Sequence, residues 1–403
     1  MSRPPVVIAT TYYQPVLGGA EAAAQRLAAF LCRRGHQVVV LTKRTSRDIP
    51  AGETIDGVAV ERLGPIGERS GRGKWAVLPA MLIALIRHRH DAGVVCCIDY
   101  RGIGLGALAA RLVTRTPVIF QAQTEGVIGG ERIRERVGRF GMSPRGSLAR
   151  VVAWLARAAY GRADAIGCIS RGIERETLDA GVARARVHYL PNPVQSGLFA
   201  ALPPERRRAV REGAGIPADA VVAMFVGRLS REKGALELVR AWARARPDAY
   251  LVMIGPPMTN HPWDVSREVH AVVATERLED RVRVLGGQPP DVVADWLRSA
   301  DFAVQPSHFE AMGLAAAEEM AAGLPVIASD TGGFRDFVVH DETGLLVPVG
   351  DLDAIAAAVT RLATDVPLRA RLGANARRAA EPFDEAVVLE RFAAVIDRLA
   401  GSK

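Results

Sequence analysis

AVVAMFVGRLSREKGALELVRAWARAR, residues 220–246, decides the fold. It opens as a short apolar, β-branched run closed by Gly227, crosses a short charged loop, and ends in a segment that reads as a helix. A strand feeding a helix in this way is half of a βαβ unit, and the same alternation runs the length of the chain, which predicts parallel sheets. The first half offers strands at 6–10, 37–42, 58–63, 93–99, 117–122, 165–170 and 187–191. After the Pro-rich PNPVQSGLFAALPP (191–204) the pattern restarts, with strands at 220–227, 249–255, 281–286, 302–307, 325–329 and 344–348.

At 403 residues the chain suits two domains better than one core. We therefore expect an α/β architecture of two Rossmann-like, doubly wound parallel-sheet domains, 1–195 and 196–383. A terminal helix near 384–403, apolar at Val387, Leu389, Phe392, Val395, Ile396 and Leu399, is free to pack back on the first. Ligands of open α/β sheets bind at the carboxyl ends of the strands, so the active site is expected in a cleft between the domains.

A composition of 49% hydrophobic and 24% charged residues is that of a globular protein. Cys32, Cys96, Cys97 and Cys168 form no CxxC pair, so neither a zinc site nor a disulfide framework is indicated, and a reducing compartment is expected. The amino terminus lacks the apolar core of a signal peptide, and the longest apolar run, Trp75 to Ile86, falls short of the roughly 20 residues needed to span a bilayer. A cytoplasmic protein is the expectation. Residues 1–200 carry 28 Lys and Arg against 15 Asp and Glu, and the remainder 24 against 29, so +13 and −5 make the net +8. The basic half suits an anionic partner, a phosphorylated ligand or the cytoplasmic membrane face, although a general arginine excess reads equally well. No nucleic-acid partner is expected.

Arg228 and Lys233 sit where a strand ends and a helix begins, the positive end of the helix dipole. That placement disfavours cations unless an anion binds there. A solvated basic loop is the plainer reading. In PSHFEAMGLAAAEEMAAGLPVIAS (306–329) a strand delivers Glu310 and a helix beginning near Gly313 carries Glu318, with amides near Gly313 and Leu314 open to an anion. By itself this spacing is also compatible with ordinary solvated glutamates.

Taken together, GRLSREKG, PS-FE-MGL-EE-AGLPV and TGGFRDFVVHDETGLLVP resemble the retaining glycosyltransferases of family 4, which have the GT-B fold. The N-terminal half joins the resemblance through YYQPVLGGAEAAAQRLAAFLCRRGHQVVVLT (12–42) and ADAIGCISRGIERETLDAG (163–181). It implies sugar transfer from a nucleotide-diphosphate sugar to a glycan, a lipid-linked saccharide or a small acceptor, by a front-face route without a metal or other cofactor. Carried over by position, Arg228 and Lys233 hold the donor diphosphate, Glu310 lies beside the sugar and Glu318 on the ribose hydroxyls. Amides of Met312, Gly313 and Leu314 lie near sugar or phosphate, and Gly18 and Gly19 let backbone approach the diphosphate. Relatives commonly carry a histidine where PVIFQAQTEG (117–126) ends. Here Gln123 stands closest, with Gln121, Thr124 and Glu125 as other occupants of that place on the acceptor side, and glutamine cannot take a proton. That departure keeps open a nucleotide-sugar-binding protein without transfer activity. A nucleotide-sugar epimerase on the same fold and a hydrolase using Glu310 and Glu318 are further alternatives. Pro193 and Gln195 stand where relatives often show Gly and Asp.

Asp351 and Asp353 form a DxD at a helix start, where capping of free amides is a better reading than a metal site. Gly102, Gly104 and Gly106 lack a full dinucleotide fingerprint. The basic stretch from Arg132 to Arg162, with Val151, Val152, Trp154, Leu155 and Tyr160, reads either as a surface helix or as a contact with an anionic membrane.

Overall fold

A computed structural model of the chain describes residues 3–15, 18–67, 76–98, 102–129, 143, 146–258 and 261–401. It divides into two compact units, Met1–Pro193 with Ala386–Lys403, and Val194–Glu385.

The first unit holds an eight-stranded sheet in the order β3-β4-β2-β1-β5-β6-β7-β8. In chain order these are β1 (Val6–Thr10), β2 (Val38–Lys43), β3 (Gly52–Ile55), β4 (Val58–Leu63), β5 (Val94–Ile98), β6 (Val118–Ala122), β7 (Ala165–Cys168) and β8 (Val187–Tyr189). β1 and β5 are buried along their whole length. Strands covered on both faces need apolar residues at consecutive rather than alternate positions, and VVIAT and VVCCI supply them. The neighbours of β1 run parallel to it, with Val6 opposite Val38 on one side and Val94 on the other. β3, which the sequence reading did not include, pairs antiparallel with β4. Its turn is Asp56–Gly57, both at positive φ (52° and 79°), the Asp-Gly signal of a tight hairpin that the sequence did contain.

The terminal helix Glu385–Ala400 belongs to this unit. Leu389, Phe392, Val395 and Ile396 join Val6, Ile8, Leu27, Leu31 and Val40 in one buried cluster.

The second unit holds six parallel strands in the order β11-β10-β9-β12-β13-β14. They are β9 (Val222–Val226), β10 (Tyr250–Ile254), β11 (Val282–Gly286), β12 (Phe302–Gln305), β13 (Val326–Ser329) and β14 (Gly344–Val347). Phe225, Phe302 and Trp242 lie at the centre of its core. In each sheet the first strand has a neighbour on either side, β2 and β5 for β1, β10 and β12 for β9, so strand order reverses there. That reversal opens a crevice at the carboxyl edge, and the loops after β9 and β12 leave the second sheet side by side at it.

Candidate active site

The loop after β9 is fixed by backbone. Arg231 N–H donates to the Trp263 carbonyl (2.9 Å), Leu229 N–H to Pro256 (3.2 Å), and Lys233 N–H to Ser230 (3.1 Å). The loop closes at Gly234, which has φ +68° and precedes the helix Ala235–Ala245. A Cβ at Gly234 would collide with the Pro306 carbonyl, so only glycine lets the β9 loop lie against the β12 loop.

The β12 loop is held in the same manner. Gly313 (φ +87°) caps the helix Leu314–Ala321, and a Cβ on it would enter the Phe334 ring. Gly332 and Gly333 press on Glu310–Met312 from the other side. Gly333 N–H donates to the Glu310 carbonyl (3.0 Å), and a Cβ on Gly333 would stand 2.6 Å from the Ala311 oxygen. The TGGF segment (331–334) therefore supports the loop that carries Glu310. The sequence reading used TGGF only as part of a resemblance, although paired glycines after a strand already signal close backbone approach.

These constraints bring Lys233 Nζ onto the Glu310 Oε1 carboxylate oxygen as an ion pair, with both side chains mostly buried. Ser307 Oγ donates to the same oxygen at 3.3 Å. Arg228 is half-exposed and faces Glu232 (3.5 Å) rather than Glu310. His308, not singled out in the sequence, sets its ring Nε2 3.1 Å from Glu237, and its backbone N–H donates to the Glu232 carbonyl (2.8 Å). Met312 is buried just before the helix, Leu314 is half-buried at its start, and Glu318 is half-buried one turn on.

Directly beneath lies a pair the sequence reading missed. Gln305 Nε2 donates to the Val226 carbonyl (3.1 Å) and to Glu319 Oε1 (2.6 Å). Burial pushes the Glu319 carboxyl well above the ordinary range, the Gln305 bond works against that shift, and the charges of Glu318 and Glu310 add to it. Beside it stand the carboxylates of Glu310, Glu318 and Glu232 and the cations of Lys233 and Arg228. With Lys233 already paired to Glu310 in the free protein, an entering anion would have to compete with Glu310 for it.

In the first unit Gly18, in extended backbone, caps the helix Gly19–Arg33. The Glu21 carboxylate folds back over it, into the space a Gly18 side chain would need. Gln123 follows β6 directly and exchanges hydrogen bonds with Asn192: Nε2 to Oδ1 at 3.4 Å, and Nδ2 to Oε1 at 3.2 Å. Thr124 is half-buried beside it. Glu125 sets its carboxylate against Gly172, in the first turn of the helix Arg171–Asp179, where a carboxylate is favoured by the helix dipole. Glu176 secures the next turn by accepting from the amides of Gly126 (2.7 Å) and Gly129 (2.6 Å).

Asp351 caps its helix, accepting from the amides of Asp353 (3.0 Å) and Ala354 (2.9 Å), while Asp353 pairs with Arg244. Tyr160, read with the basic surface, is instead buried and stacked on Phe120 at 4.9 Å. Arg132, Arg134, Arg136, Arg139 and Arg145 lie outside the described residues. Among the described residues no helix is long and apolar enough to cross a membrane.

Comparison with known proteins matches residues 18–193 to a glycosyl transferase 4-like domain and residues 206–379 to the glycosyl transferases group 1. A D-inositol 3-phosphate glycosyltransferase of Kineococcus radiotolerans is 32% identical over 396 residues, covering 91% of this chain and 87% of the relative. Among solved structures, sucrose-phosphate synthase from Thermosynechococcus elongatus superposes with a TM-score of 0.83 at 24% identity, covering all of both chains. Anabaena HepE, in complex with UDP and glucose, superposes with a TM-score of 0.76 at 20% identity, covering 97% of this chain and 99% of that one.

Proposed function

The chain belongs to the family 4, group 1 glycosyltransferases of GT-B fold, and from that membership we propose that it transfers a sugar from a nucleoside-diphosphate sugar to an acceptor hydroxyl, with retention at the anomeric carbon and without a metal. The observation that carries this reading is the Lys233–Glu310 pair, held between two loops whose glycines leave no room for adjustment. A donor diphosphate supplies the anion that takes Lys233 from Glu310. Lys233, Arg228 and the amides of Met312 to Leu314 then stabilise charge growing on the leaving diphosphate, as fixed dipoles and cations do without reorganising. Glu310, released from Lys233, is free to accept from a hydroxyl of the donor sugar, and Glu318 takes the ribose.

The acceptor oxygen forms its bond to the anomeric carbon on the face from which the diphosphate oxygen departs. The electrons of the broken carbon–oxygen bond go to the diphosphate, and the acceptor proton goes to a departing phosphate oxygen. The Gln123–Asn192 pair supports this route, since two amides hold hydroxyls in place but take no proton. Gly18 and Gly19 allow backbone to approach the diphosphate once the Glu21 carboxylate swings off Gly18, and Gln123 and Thr124 serve the acceptor. The acceptor is a glycan, a lipid-linked saccharide or a small molecule, with an inositol phosphate the first to try because relatives are named for it. The enzyme works in the cytoplasm and touches the anionic membrane face through its basic N-terminal unit.

The test is consumption of nucleotide sugars, followed by product and anomer analysis, for the natural chain and Glu310→Gln. The variant should bind nucleoside diphosphate at least as tightly, because Lys233 loses its competitor, yet turn over about a hundredfold more slowly. No consumption of any donor by the natural chain refutes the reading. An inverted product refutes retention, and loss of activity with chelator refutes metal independence.

A further inference from the structure

In the first unit the helix Ser147–Tyr160 leaves Val151, Trp154 and Leu155 exposed, Trp154 at 65%. The helix Gly102–Thr114 packs beside it and exposes Leu112 and Val113, at 73% and 67%. Five large apolar side chains on two adjacent helices exceed the scattered apolar residues of an ordinary surface.

Beside Trp154 runs a groove of about 320 Å³ into which Arg157, Arg162 and Arg186 converge. Backbone carbonyls hold all three guanidiniums in place. Arg157 donates to Ala180 (2.9 Å), Arg162 to Ala158 (3.0 Å), and Arg186 to Gly161 (2.9 Å) and Ala163 (3.1 Å). Among the described residues no carboxylate is ion-paired with any of them. Carbonyls orient a guanidinium without neutralising it, so three positive charges line one groove, each with N–H groups to spare. Arg150 adds a fourth on the other side of Trp154.

We propose that this groove binds the phosphate headgroups of an anionic phospholipid bilayer, with Trp154, Val151 and Leu155 entering the interface beside it. The proposal rests on the membrane contact proposed above and makes it specific. Charge complementarity selects a phosphate, and the apolar rim selects a bilayer over a free phosphate. An indole among arginines suits headgroup depth, where one end is apolar and the other wet.

The experiment is co-sedimentation of the full chain with phosphatidylcholine vesicles, with and without phosphatidylglycerol, at low and physiological salt. Binding should require phosphatidylglycerol and weaken with salt. The double variant Arg157→Ala, Arg162→Ala should lose about thirtyfold in vesicle affinity, and Trp154→Ser should lose affinity at both salt concentrations. Neither variant should change the thermal shift produced by a nucleoside diphosphate, which reports that the fold and the donor site are intact. Equal binding by variants and natural chain, no binding to either vesicle, or full displacement by millimolar inorganic phosphate would each overturn the proposal. A chain that ignores vesicles but still consumes donor keeps the glycosyltransferase reading and loses only this one.

Discussion

The two units hold the loops at their strand ends by different means. In the second, backbone lies on backbone: Gly234 on Pro306, Gly332 and Gly333 on Glu310 to Met312, with no space for a Cβ. In the first, side chains do the holding, with Glu176 on the Gly126 and Gly129 amides, Glu125 on Gly172, and Gln123 on Asn192. A backbone-built site tolerates little change, which under the proposed function would fit a ligand part that all donors share, the diphosphate. A side-chain-built site is retuned by single substitutions, which would suit a variable acceptor.

Gly332→Ala tests the first half of this contrast and should have the largest effect. Its Cβ would meet the Glu310 carbonyl at a residue already at φ +46°, so the second unit should lose about 3 kcal/mol and melt several degrees lower. An unchanged melting temperature would show that the loop gives way. Glu176→Gln should cost less, about 1–2 kcal/mol, through weaker bonds to two amides. It should raise hydrogen exchange at Gly126 and Gly129 while leaving nucleoside diphosphate affinity within about twofold. A large loss of nucleotide affinity would erase the contrast between the units.

Glu319→Gln should have the smallest effect, and a pH-dependent one. The folded chain holds the Glu319 proton well above the ordinary carboxyl range, whereas the unfolded chain releases it there. The folded state therefore binds the extra proton, and stability is lost as pH rises above the unfolded pKa. Glutamine does not titrate, so the melting temperature of the variant relative to the natural chain should be higher at pH 8 than at pH 5. A difference independent of pH would mean that Glu319 is ionised in the fold.

Much of the fold could be read in advance because parallel strands buried on both faces announce themselves as continuous apolar runs, as VVIAT and VVCCI do. The β3–β4 hairpin escaped because GETI is polar and exposed, and only Asp56–Gly57 marked it. At the candidate site, Lys233 and Glu310 stood out as charges at strand ends, but their direct pairing depends on two loops distant in sequence being pressed together. Gln305 and Glu319 looked like one polar residue in a strand and a second glutamate in a pair. Periodicity does not reveal that both point into the same buried space. Asn192 sat in a turn already singled out for Pro193 and Gln195, and its bond to Gln123 joins the ends of two strands that only the sheet order makes near neighbours.

Whether Lys233 exchanges Glu310 for a diphosphate is read from the thermal shift of the full chain against a panel of nucleoside diphosphates that includes UDP, for the natural chain and for Lys233→Ala. At least one base should shift the natural chain, with an affinity weakened about tenfold to a hundredfold in the variant. A shift of equal size in both proteins would place the diphosphate elsewhere and rule the exchange out.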